Sequence, residues 1–188
     1  MKPLLFVVSL FFFSAISSHA VTLLQEEHAI LCTQGSDFVE IDKKDRRFRT
    51  RTQTYQRTEF LDKAILGESS SQKALIHMTP QKTASLIEGK VYDFIESFCA
   101  QVEASKFCCD QGKAPKNCSP SSNKLIWSPT QLSWNGVIFD VAHYGVYSND
   151  GTFFLGYNKS GLGLAIVDFG SKFKVIYGSH KKLNCDYK

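Results

Sequence analysis

TPQKTASLIEGKVYDFIESFCAQVEASKF, residues 79–107, is the stretch on which the fold class turns. Its apolar residues recur at Ile87, Val91, Phe94, Ile95, Phe98 and Val102, in steps of 4, 3, 1, 3 and 4. Such steps place them on one face of a helix with 3.6 residues per turn. Thr79-Pro80 supplies an N-cap and a first-turn proline. Gly89 lowers helix propensity only slightly, and Cys108-Cys109 ends the pattern. The spacing predicts a long amphipathic helix over 80–107.

The flanking zones read as strands. Residues 124–188 carry turn signals at Asn135-Gly136, Asn149-Asp150-Gly151, Asn158 to Gly161 and Asp168 to Ser171. Asn-Gly between apolar residues is the strongest short hairpin signal. Strands are expected over 137–147, 152–157, 162–167 and 172–177, and they imply an antiparallel meander. Residues 28–66 read as two short strands, 29–33 and 38–42. A long extended run over 47–60 follows, with a helical turn at 61–66. Residues 67–72 and 110–123 are loops by composition. The expected fold is α+β: one long amphipathic helix packed on a mainly antiparallel β-meander or small barrel, stabilised by disulfides.

The N-terminus has the form of an export signal. Lys2 precedes an apolar run from Leu4 to Ile16, and Ser18-x-Ala20 is a small-residue cleavage site. Residues 1–20 are expected to be removed, leaving 21–188 as a single exported domain, secreted or periplasmic. No second apolar segment reaches membrane-spanning length, so no stable membrane insertion is expected. The net charge of +4 falls to +3 without Lys2. That excess is too mild to point to nucleic acid, and it leaves a protein or polyanionic partner as the expectation.

All six cysteines, Cys32, Cys99, Cys108, Cys109, Cys118 and Cys185, follow the signal and are expected to form disulfides. On a continuous helix Cys99 and Cys108 stand roughly 13 Å apart, too far to bridge. One of Cys108 and Cys109 is therefore expected to join Cys118, and Cys32 to join Cys185. No pair of CxxC motifs is present to hold structural zinc, and no metal or other cofactor is expected. Asn117-Cys118-Ser119 and Asn158-Lys159-Ser160 are glycosylation sequons in expected loops.

If 47–57 is extended, Arg47, Arg49, Arg51, Gln53, Tyr55 and Arg57 share one face. Four guanidiniums beside a phenol suit an anionic partner, because each offers a planar fork of donors. The competing reading is a solvated strand kept from edge pairing by charge, with Asp37, Glu40, Asp42, Asp45 and Glu59 as neutralising neighbours. Most aromatics of the last zone are expected in the core, with Trp134 and Phe169 as contact anchors on turns. Four histidines follow the signal: His28, His77, His143 and His180. On a regular strand Asp140 and His143 point to opposite faces, and no GxSxG or HExxH signature is present. No catalytic residues are assigned. The sequence points to an exported non-enzymatic binding protein, an inhibitor or host-directed factor. The alternative is a small secreted hydrolase with ribonuclease-like acid–base chemistry from His143, Arg47 and Glu40.

Overall fold

The computed structural model describes residues 30–42, 44–61, 64–110, 113–128, 130–147, 151–168 and 171–187. The expected signal, His28 and Phe169 lie outside the described residues. The fold is almost entirely antiparallel β, and the long helix is absent. The first half contains β1 (Ile30–Gln34), β2 (Asp37–Asp42), β3 (Arg47–Thr50), β4 (Thr54–Leu61), β5 (Ala64–Glu68), β6 (Lys73–Met78) and β7 (Thr83–Ile95). After one 3-10 turn (Glu96–Phe98) come β8 (Ala100–Val102) and β9 (Ser105–Cys109). A second such turn (Pro115–Asn117) leads to β10 (Lys124–Trp127), β11 (Gln131–Trp134), β12 (Val137–Tyr147), β13 (Gly151–Tyr157), β14 (Leu162–Asp168) and β15 (Lys172–Tyr187).

Segment 79–107 is thus a strand, a turn and a hairpin. Residues 84–89 are buried without a break, because both faces of β7 are covered. A strand covered on both faces loses the alternation that would announce it. The spacing of Ile87, Val91 and Phe94 then mimics a helical period. Thr79-Pro80 begins the hairpin turn between β6 and β7, where Thr79 N–H donates to the Thr83 carbonyl at 2.8 Å. The stretch 47–60 is likewise two strands rather than one. It reverses at 51–53, where Thr50 N–H donates to the Gln53 carbonyl at 2.9 Å. The expected helical turn at 61–66 is replaced by β5 beyond the undescribed residues 62–63. The Asn135-Gly136 hairpin forms as expected, with φ of 49° and 84°.

β7 and β15 are the longest strands and pair from Thr83–Asn184 to Ile95–Lys172. The C-terminal end of β15 also pairs with β1, which closes β1–β7 and β15 into an eight-stranded barrel. Phe48, Tyr55, Ile65, Ile76, Leu86 and Leu183 fill it. The N-terminal end of β15 pairs with β14, and from there the sheet runs through β13, β12, β11, β10 and β9 to β8. This second half curls around Phe94, Trp127, Trp134, Phe139, Ile166 and Phe173. Between the halves, Leu66, Leu75 and Ile87 meet Phe153, Leu155, Val167 and Ile176 in a third apolar layer.

All six cysteines are paired, as Cys32–Cys185, Cys99–Cys108 and Cys109–Cys118. The first and third agree with expectation. Cys99–Cys108, excluded on a helix, forms because the chain folds back as β8 and β9 and brings the two Cα atoms to 4.4 Å. Three intrachain disulfides indicate folding in an oxidising environment. Among the described residues no helix is long and apolar enough to cross a membrane.

Gly89 and Gly178 sit opposite each other at the middle of the β7–β15 ribbon. A Cβ on Gly89 would stand 2.0 Å from the Tyr177 carbonyl oxygen, and one on Gly178 2.0 Å from that of Glu88. The obstacle is backbone and cannot rotate away. Gly89→Ala is therefore expected to destabilise the fold by about 3 kcal/mol. Gly35→Ala, with open space but a φ of 60°, should cost nearer 1 kcal/mol. Urea unfolding of the two variants checks the order.

Candidate functional site

The ribbon presents one face to both halves in turn. On β7 that face carries Leu86 against the barrel core, then Glu88 and Lys90, then Tyr92 and Phe94 against the second core. On β15 it carries Leu183, Lys181, Ser179 and Tyr177. Where one core gives way to the other, no apolar side chain of the described residues covers the ribbon. A cleft of about 540 Å³ opens there, over the backbone of Gly89 and Gly178. Thr52 and Gln53 from the β3–β4 turn and Gln72 from the β5–β6 turn rim its barrel side.

The polar end is built around Glu88, whose side chain is 5% exposed. Its Oε1 accepts from Thr50 Oγ1 at 2.8 Å, Tyr55 O–H at 3.0 Å and Thr52 Oγ1 at 3.3 Å. Its Oε2 lies 3.9 Å from Lys181 Nζ, which itself reaches Asp37 Oδ1 at 2.8 Å. Burial, and then the Glu88 charge, push the Tyr55 hydroxyl pKa well above its ordinary value, so it stays protonated and donates. Gln53 Nε2 donates to Gln72 Oε1 at 2.8 Å and ties the two turns together.

The other end is aromatic. Tyr92 and Tyr177 are half-buried and both pack on Trp134, with ring centroids 4.7 Å and 5.7 Å away. Trp134 is 2% exposed. It is no surface anchor but the backing of the cleft's tyrosine wall.

The four arginines of 47–57 do not share one site. Arg47 and Arg49 point outward with Glu40, Asp42 and Asp45 around a small hollow, and Arg49 pairs with Glu40. Arg51 Nη1 donates to Ser36 Oγ at 2.7 Å. Beyond the reversal the faces exchange: Tyr55 is 0% exposed and stacks on Phe48 inside the barrel. Arg57 is half-buried, and burial followed by the Arg46 charge lowers its pKa. Glu88 escaped the sequence reading; its signal was a lone carboxylate beside a glycine in an apolar run.

On the opposite side of the ribbon, the layer between the halves gathers three histidines. His77 on β6 lies against His143 on β12, with centroids 4.1 Å apart, and His180 on β15 stacks flat on Tyr157 at 4.0 Å. A bulge in β12 pairs Asp140 with Tyr157 and His143 with Leu155. The extra residue puts Asp140 and His143 on the same face, opposite to the regular-strand expectation. Glu40 and Arg47 line the outer hollow while His143 packs on His77, so the ribonuclease-like trio does not share one site. The chain matches no protein-family model, no curated protein and no solved structure.

Burial, then the charges of His143 and Lys182, lower the His180 pKa to about 4. Burial and then Lys182 also lower that of His143. His180 stays neutral in the fold down to about pH 4, while its unfolded counterpart, near 6.5, takes up a proton. The stability it contributes is full above about pH 6.5 and is lost as pH falls towards 4, and the lowered pKa of His143 acts in the same direction. Urea midpoints measured across this range should show that slope. His180→Gln should flatten it, and an unchanged slope would remove His180 from the account.

Proposed function

We propose that the chain is an exported, disulfide-held binding protein whose ligand site is the cleft over the Gly89–Gly178 crossing. The observation that carries this reading is the fixed order of the cleft's walls. Trp134 holds the tyrosines, the Glu88 cluster holds the polar end, and the floor is backbone. Concave sites with an apolar wall and a few converging polar groups are where small ligands bind, and preorganised walls lower the cost of binding. Glu88 supports binding rather than catalysis. Three hydroxyls occupy one of its oxygens and Lys181 faces the other, so its oxygens are engaged within the protein. The hydrolase reading draws on the shared face of Asp140 and His143. It is the weaker one, because the His143 ring packs on His77 in the layer between the halves and does not line the cleft.

Saturation-transfer NMR of the oxidised protein against amino acids, nucleosides, carboxylic acids and oligosaccharides tests the proposal. Hits should be lost in Gln53→Ala with Gln72→Ala and kept when Arg47, Arg49 and Arg51 are changed to Gln. The reverse pattern would move the ligand to the outer arginines and overturn the cleft reading.

A further inference from the structure

The cleft's side chains also specify a ligand chemistry, on the premise that the cleft is the ligand site. We infer that it takes an acidic sugar, a pyranose ring bearing a carboxylate or sulfate. A pyranose has a face of C–H bonds and a rim of hydroxyls. Its C–H face matches the negative face of an aromatic ring, and Tyr92 and Tyr177 offer two such rings held from behind by Trp134. The hydroxyl rim needs donors and acceptors side by side. The Gln53–Gln72 hydrogen bond uses the amide of one and the carbonyl of the other. Gln53 Oε1 is left to accept and Gln72 Nε2 to donate, the pairing that two adjacent hydroxyls require.

Charge selects an acidic ring over a neutral one. Lys181 is engaged by Asp37 and stands against Glu88, so the buried carboxylate does not face the ligand unpaired. Lys90 is exposed, lies between Glu88 and Tyr92 on the same strand face, and makes no ion pair among the described residues. It is a single ammonium at the end of a flexible stem. It suits one carboxylate or sulfate, whereas a polyphosphate would call for several cations converging.

Titration of the oxidised protein with three tetrasaccharides decides the matter: hyaluronan (carboxylated), chondroitin sulfate (carboxylated and sulfated) and chitotetraose (neutral). The acidic pair should bind roughly two- to fivefold tighter than the neutral one, the scale of a single exposed charge contact. Lys90→Gln should erase that preference without weakening chitotetraose, and Gln53→Ala should weaken all three. Equal affinities with no effect of Lys90→Gln would overturn the acidic selection and leave the cleft standing. No binding of any of the three, while other hits still depend on Gln53, would overturn the sugar class alone. Acidic binding that survives Gln53→Ala but falls when Arg47, Arg49 and Arg51 become Gln would overturn both this inference and the cleft reading.

Discussion

The backbone contact between Gly89 and Gly178 constrains everything else in this fold. β7 and β15 pair over thirteen positions, and both halves are built on that one ribbon. A twisted two-stranded ribbon of that length can serve two cores only if its strands come close where the cores change over. There each glycine lies where a Cβ would strike the opposite carbonyl. The barrel grows from one end of the ribbon through β6 and, via β1, around to β15. The second sheet grows from the other end through β14. On one face the ribbon passes from barrel core to second core; on the other it contributes Ile87 and Ile176 to the layer between the halves. The cleft is the interval on the first face where neither core reaches.

Legibility of the sequence followed how each strand is buried. From residue 124 onward β12, β13, β14 and the start of β15 are bounded by turn signals such as Asn-Gly and Asn-Lys-Ser-Gly, and their positions were readable from them, whereas β10, β11 and the extension of β15 from 178 to 187 were not. The Cys32–Cys185 bridge agreed with its expected pairing, and it sits at the β1–β15 seam. The β7 region was not readable. With both faces covered, its apolar residues follow the demands of two different neighbours, and their spacing fell into helical steps by coincidence. Periodicity alone cannot separate a doubly buried strand from a helix. Gly89 was the available clue, because glycine inside a strand marks close backbone approach. The same limit hid the reversal at 51–53 and the bulge in β12. Both depend on a tertiary neighbour rather than on the local residues.

The candidate site was legible only in its parts. The sequence singled out Tyr55 and Trp134 as surface contacts, yet both are buried and act from behind. Tyr55 donates to Glu88, and Trp134 supports Tyr92 and Tyr177. The residues lining the cleft, Gln53, Gln72, Lys90 and Ser179, are polar residues on turns and strand faces that carry no motif. Nothing in their spacing joins them, because they come together only where the β3–β4 and β5–β6 turns lean over the ribbon.

A buried carboxylate such as Glu88 is a poor device for stability. Removing it from water costs several kcal/mol, and its partners repay that only when geometry is good. Its role here is better understood as positional. Thr50 and Thr52 begin the β3–β4 turn, Tyr55 follows it, and Lys181 belongs to the ribbon. By gathering all four, Glu88 ties the rim turn of the barrel to the floor of the cleft. No disulfide lines the cleft: Cys32–Cys185 holds the barrel seam, and the other two hold β8, β9 and the following loop. The covalent staples therefore fix the borders of the molecule, while the shape of the cleft depends on one carboxylate, one tryptophan and two glycines.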